Sequence, residues 1–394
     1  MVIYFTLVNL LNYIDRYLAS GILPLIMRDL NLTNAQGGAL VSAFVIGYTV
    51  FAPIFGYLGD RYNRVHIMAF GVLMWSFATI LTGVSDLIWV FFLSRVLVGI
   101  GEASFGTISP GYLKDRIPDP AKLSMSLAIF FSAIPAGSAL GYVFGGFIAD
   151  RISWHAAFLI CGAPGIVMAL LLLKFPEKRV EKITNVNFRA GIRQIVRIPL
   201  VVVAVLGYAL NAFALNGVAA FISKYGETIG FQNREITVYF GIILVVAGFA
   251  GTIGGGKIIT TRALKTSDPS DALLRYIGVV SLVATPLLAA AFLVQDHMIF
   301  LALCFFAELL IFSTVAPVNA VIVQAAPPQL VTLTQGTTIL AINLLGSLPA
   351  PWLVGTVSDH YGVPLGMQVS SVGLLLSGIL WWKGTACLRS MRKA

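Results

Sequence analysis

Five ionisable side chains stand inside stretches that are otherwise apolar enough to cross a bilayer. They are Asp15 and Arg16 near residues 1–26, Arg95 and Glu102 near 87–113, and Glu308 near 297–325. A charge that faces lipid costs several kcal/mol, so each of these groups must face protein or water. Arg95 and Glu102 are seven residues apart, and two helical turns bring them onto one face. A carboxylate kept from water holds its proton more tightly, while a neighbouring guanidinium loosens it, and that competition suits proton coupling. Asp15 and Glu102 are therefore the candidate proton exchangers, with Arg95 and Arg16 holding either them or an anionic substrate group. The alternative is a static set of ion pairs that locks helices together. Glu308 is the one acid well inside a span of the second half, and it precedes Pro317 much as Glu102 precedes Pro110. An intramembrane enzyme would need a nucleophile with its base. His66, His155, His297 and His360 all fall near span ends, and Ser104 sits in Glu102-Ala-Ser-Phe-Gly106 rather than in G-x-S-x-G. No catalytic centre, cofactor or metal site is expected.

The elements that must position these groups are membrane helices. Of 394 residues, 58% are hydrophobic and 11% charged, against roughly 45–50% and about 25% in a soluble domain. Apolar runs of about 20 residues, the length that crosses a bilayer, recur along the chain. They predict twelve spans near 1–26, 34–58, 65–84, 87–113, 119–149, 155–174, 199–226, 233–259, 272–294, 297–325, 329–356 and 361–388. No cleavable leader can be marked off from the first of them. With the amino terminus in the cytoplasm, twenty of the 26 Lys and Arg fall in inner loops or the carboxyl tail and four outside. That imbalance sets the expected orientation, with both termini inside. It also accounts for the net charge of +9 through anionic lipid, without a nucleic-acid partner. Trp154 and other aromatic residues at span ends read as interfacial anchors.

A half-chain repeat organises the spans. Gly137-Ser138 overlies Gly346-Ser347, Gly146 overlies Gly355, Asp150 overlies Asp359 and Pro118 overlies Pro327, all at one offset. This predicts an N-terminal six-helix half at 1–174, a basic cytoplasmic linker at 175–198 with room for one interfacial helix, and a C-terminal half at 199–394. Gly137, Gly141 and Gly145 leave one face of the fifth span bare, which favours close helix packing. Asn211, Asn216 and Asn319, with Glu308, are the polar candidates for substrate contact in the second half. Their alternative role is interhelical hydrogen bonding.

The loop after the second span reads Gly56-Tyr-Leu-Gly-Asp60-Arg61-Tyr-Asn-Arg64, one acid and two bases at a helix end, where an ion-pair latch on the cytoplasmic side fits. This G-x-x-x-D-R-x-x-R arrangement resembles the signature of the major facilitator superfamily, an all-α integral membrane fold. The corresponding second-half stretch has Ile258 in place of the acid, so no matching latch is expected there. The superfamily resemblance adds a rocking interface between halves as a role for the glycine stripe. Closer still, Asn12-Tyr-Ile-Asp15-Arg16, the Gly56–Arg64 loop, Arg95-Val-Leu-Val-Gly-Ile-Gly-Glu102-Ala-Ser104 and Ala133-Ile-Pro-Ala-Gly-Ser-Ala-Leu-Gly-Tyr142 together resemble the Spinster family of lysolipid and sphingoid-phosphate transporters. The resemblance implies that Asp15, Arg95 and Glu102 match that family's functional charges. It further implies a phosphorylated headgroup bound among polar residues, an acyl or sphingoid chain along apolar walls, and a monomer in a bacterial inner membrane. An exporter of small organic anions or drugs would use the same fold and charges.

Overall fold

The computed structural model describes residues 1–177, 188–255, 263, 266–327 and 330–393, and among them there is no strand. The helices are α1 (Val2–Gly21), α2 (Leu23–Asp29), α3 (Asn34–Arg61), α4 (Arg64–Gly83), α5 (Ile88–Arg116), α6 (Pro120–Arg151), α7 (Trp154–Leu172), α8 (Phe188–Val196), α9 (Pro199–Thr228), α10 (Asn233–Ile253), α11 (Pro269–Ala291), α12 (His297–Ser313), α13 (Val315–Ala325), α14 (Val331–Ile342), α15 (Pro349–Tyr361) and α16 (Val363–Lys393). Their starts follow from local chemistry. Thr33 and Gln36 form a reciprocal capping box at α3, and the side chains of Asn63, Ser153, Asp268 and Asp296 accept hydrogen bonds from the third amides of α4, α7, α11 and α12.

Eleven helical stretches are long and apolar enough to cross a membrane among the described residues. Helix α1 is not one of them, because Asn9, Asn12, Asp15 and Arg16 lower its hydropathy. Three predicted spans are broken. The first ends at Gly21 and resumes as α2, with Pro24 in its first turn. The tenth breaks at Thr314, three residues before Pro317, whose missing amide cannot continue the ladder. The eleventh passes through a π turn at Asn343–Ser347 before restarting at Pro349. The Gly254–Arg262 comparison and the middle of the predicted linker lie largely outside the described residues.

The chain forms two compact units. The first comprises Met1–Ile183 together with Ile222–Ile242, so α9 and α10 each begin or end in a different unit from the rest of the helix. Inside it α1 lies along α6, and α5 lies between α3 and α4. The Phe5 and Tyr112 rings stack at 5.3 Å within a core that also takes in Trp75, Phe105 and Phe130. Trp154 is buried in a second cluster of the same unit, beside Phe91 and Phe158, with its indole N–H donated to Asp29 Oδ2 at 2.8 Å. It is a core residue rather than the interfacial anchor that its place at a span end implied. The second unit comprises Thr184–Phe221 and Ile243–Ala394. In it α11 packs on α16 and α12, and α8 seats Ile195 against Val201 and Leu330. Large apolar side chains such as Phe70, Phe77, Val167, Ile242 and Phe306 stand exposed, as a surface solvated by lipid requires.

Candidate functional site

Two ion pairs cross between α1 and α5. Arg95 Nη1 lies 3.4 Å from Asp15 Oδ1, both side chains being 2% exposed, and Arg16 Nη2 lies 3.2 Å from Glu102 Oε2, with exposures of 24% and 0%. Adjacent residues of α1 thus meet the two charges that the seven-residue spacing puts on one face of α5. The pairs are not equivalent. Asp15 also accepts a hydrogen bond from the Thr79 hydroxyl of α4, so its charge is held from two helices. Among the described residues, Glu102 Oε1 is buried without a hydrogen-bond partner, and the same holds for Nε of both arginines.

Aromatic rings complete the surroundings of Arg16. Its guanidinium carbon stands 4.8 Å from the Tyr13 ring centroid, 4.5 Å from Phe44 and 5.0 Å from Tyr48, while Arg95 stands 5.7 Å from Phe44. Each distance falls within cation–π range. Neither Thr79 nor these rings stood out in the sequence, where each is an ordinary member of an apolar helix.

The glycine stripe sets the position of α1. A Cβ at Gly137 would stand 2.6 Å from Tyr13 Cβ, one at Gly141 would stand 2.6 Å from the Ile14 carbonyl oxygen, and one at Gly145 would meet Ile22 and Leu18. All three glycines therefore pack on the helix that carries Asp15 and Arg16. The neighbouring side of α6 meets the 222–242 segment, with Tyr142 edge-on to Phe240 at 5.3 Å and Asp150 Oδ2 4.0 Å from Arg234 Nη1.

At the other end of α4 and α5, Arg64 Nη1 donates to Asp115 Oδ2 at 2.6 Å and Arg64 Nε donates to the Gly59 carbonyl at 2.9 Å. Asp115 is an acid that sequence reasoning passed over, because it is enclosed by Lys114 and Arg116 in a basic loop. Arg61 is exposed, its guanidinium 3.9 Å from the Tyr57 ring, and the Asp60 side chain lies outside the described residues. Pro176 and Glu177 dock on the same corner. The Tyr112 hydroxyl donates to the Pro176 carbonyl at 2.7 Å and the Val65 amide to Glu177 Oε2 at 3.2 Å.

In the second unit, Asn211 of α9 reaches Thr314 Oγ1 at 3.5 Å, Asn216 of α9 reaches Ser347 Oγ at 3.1 Å, and Asn319 of α13 reaches the Tyr208 hydroxyl of α9 at 3.4 Å. Each asparagine thus ties α9 to another element. Glu308 is 1% exposed on α12, and its Oε2 has no hydrogen-bond partner among the described residues.

Residues 5–351 match the Major Facilitator Superfamily. "Protein spinster homolog 1" of Xenopus tropicalis is 30% identical over 377 residues, covering 90% of this chain and 71% of the relative. The chain belongs to the Spinster family of that superfamily. "Probable sphingolipid transporter spinster homolog 2" of Arabidopsis thaliana is 32% identical, with 90% of this chain and 80% of the relative covered. A solved structure described as a bacterial homologue of the human lysosomal transporter Spinster, inward-facing and unoccupied, superposes with a TM-score of 0.86 over 98% of this chain and 96% of its own. At 21% identity that likeness shows the fold. This Spinster chain is accordingly a multi-pass membrane protein of a transporter superfamily, and the four stretches that carried the resemblance include both ion pairs described above.

Proposed function

We propose that the protein is a secondary active transporter that works by alternating access, couples to protons, and carries an amphiphilic anion of the lysolipid or sphingoid-phosphate kind. The observation that carries this reading is the two α1–α5 ion pairs enclosed among apolar helices of a Spinster chain. A proton on Glu102 removes the counter-charge of Arg16, the more exposed of the two guanidiniums, and leaves it able to hold a phosphate. Release of the proton restores the pair and expels the anion. Asp15, held by both Arg95 and Thr79, exchanges less readily. The printed name of the Arabidopsis relative, a probable sphingolipid transporter, supports the substrate class.

The same reading takes the chain as twelve spans in two halves, 1–174 and 199–394, joined by the linker at 175–198, as a monomer in a bacterial inner membrane with both termini cytoplasmic. Asn211, Asn216, Asn319 and Glu308 supply second-half contacts to the substrate. Asp60, Arg61 and Arg64 serve as the cytoplasmic latch, joined by Asp115, and the glycine stripe eases motion of α6 along α1. The test is transport in proteoliposomes. Wild-type uptake of a lysophospholipid should respond to an imposed pH gradient and Glu102→Gln should not. An unchanged response in Glu102→Gln removes the coupling role, and preference for small organic anions over long-chain ones at two pH values removes the lipid assignment.

A further inference from the structure

Among the described residues, Phe44 is the one aromatic ring within cation–π range of both guanidiniums of the site, 4.5 Å from Arg16 and 5.7 Å from Arg95. Its place is set by backbone. Helix α3 lies on α5 so closely here that a Cβ at Gly99 would fall on the Phe44 carbonyl oxygen, and one at Gly47 on that of Val96. The Phe44 ring is buried and rests 5.8 Å from Tyr48, which with Tyr13 encloses Arg16. A neutral carboxylic acid offers a guanidinium no counter-charge, whereas an aromatic face attracts it whatever the protonation state of its neighbours.

The geometry points to Phe44 as a positioning residue. Its ring, aided by Tyr13 and Tyr48, keeps Arg16 in place while Glu102 is neutral, and keeps Arg95 aligned with Asp15, so that proton release re-forms the same pairs. This rests on the proton-coupled reading above. Without the ring, a long cationic side chain that has lost its carboxylate moves towards water and takes its hydrogen-bonding groups with it. The charged groups acting on Glu102 are Arg16, Asp15 and Arg95. The phenols of Tyr13 and Tyr48 stand against Arg16, Cys161 of α7 lies near Asp15, and α4 has no titratable side chain beyond its first turn.

Two measurements test the assignment. In proteoliposomes loaded with a pH-sensitive dye, with a phosphate-headed lysophospholipid as probe, Phe44→Leu should cut gradient-driven uptake at least tenfold while gradient-free exchange changes less. Phe44→Tyr, which restores a ring, should stay within twofold of wild type. A Leu variant that responds to the gradient as wild type does would overturn the proposal. Wild-type protein indifferent to the gradient would overturn the coupling reading instead. The second measurement needs no transport. Phe44→Leu should lower the melting temperature of purified protein more in a Glu102→Gln background than in wild type, because there the rings hold Arg16 without a carboxylate. Equal shifts in the two backgrounds would overturn the positioning role. Phe44→Met, which keeps side-chain bulk without a π face, replaces Phe44→Leu in both experiments if that variant does not fold.

Discussion

Removing the carboxylate from either α1–α5 pair should cost different amounts of stability, and the difference can be worked out from the two environments. Asp15→Asn keeps an acceptor for the Thr79 hydroxyl and deletes only the charge. It strands Arg95, whose side chain is 2% exposed and has one carboxylate within 4 Å. Breaking a buried pair in this way costs about 3–5 kcal/mol, because the remaining ion keeps its desolvation penalty. Glu102→Gln strands Arg16, but that side chain is 24% exposed and keeps three aromatic faces. At roughly 0.5–1 kcal/mol per face, three rings offset about 1.5–3 kcal/mol where Arg95 has the Phe44 face alone to offset about 0.5–1, and with the greater exposure of Arg16 the expected loss comes down to about 1–2 kcal/mol. The two variants should therefore differ by roughly 2 kcal/mol, about thirtyfold in the folded-to-unfolded ratio. Denaturant midpoints of the purified proteins in one detergent at one pH measure this directly. Adding Arg95→Met to Asp15→Asn should recover most of the loss, since an apolar side chain of similar length needs no counter-charge. Glu102→Gln proving as costly as Asp15→Asn, or Arg95→Met bringing no recovery, would refute this reasoning.

Two further outcomes follow from packing and from the proposed latch. Gly141→Ala should lower stability by about 1–3 kcal/mol, because its Cβ would sit 2.6 Å from the Ile14 carbonyl oxygen and 3.0 Å from Tyr17 Cβ, whereas Gly111→Ala, with nothing within 4 Å, should be neutral or gain up to about 1 kcal/mol of helix propensity. Melting temperatures of the two alanine variants compare them in one experiment. For the latch, a double-mutant cycle of Arg64→Gln and Asp115→Asn should return a coupling of about 1–2 kcal/mol, and a value below about 0.3 kcal/mol would make their 2.6 Å contact incidental.

The charged residues of the site were legible in the sequence for a physical reason. Lipid penalises a charge so heavily that Asp15, Arg16, Arg95 and Glu102 could not stand in apolar runs without partners. Span positions were legible on the same ground, the contrast between apolar runs and polar punctuation. Who pairs with whom was not, because it depends on where α1 crosses α5, and that crossing is fixed by contacts distant in sequence. Tyr13, Phe44 and Tyr48 carry no mark that separates a ring around a guanidinium from a ring in a core. Trp154 misled for a related reason, since its place at a span end gave no hint of the Asp29 carboxylate waiting 2.8 Å from its indole nitrogen. Asp115 was hidden by charge counting, which saw a basic loop and not the single acid inside it. The breaks at Ile22 and Thr314 stand beside Pro24 and Pro317 and could have been read, but apolar periodicity runs straight through both.

The unequal burial of the two pairs traces back to the glycine stripe. Neighbouring residues on a helix point about 100° apart, so Asp15 and Arg16 cannot both face the same depth of the bundle. With α1 pressed against Gly137, Gly141 and Gly145, its rotation is fixed by backbone contact, and that rotation sends Asp15 inward to Arg95 and Thr79 while Arg16 points to the more open side. A turn of α1 by about 100° would be needed to put one where the other stands. The stripe therefore decides which of two adjacent charges belongs to the more buried pair and which to the more exposed one. If the proposed coupling holds, a bulkier residue at Gly141 should weaken the response of proteoliposome uptake to an imposed pH gradient even where the protein still folds, although Gly141 itself carries no chemistry.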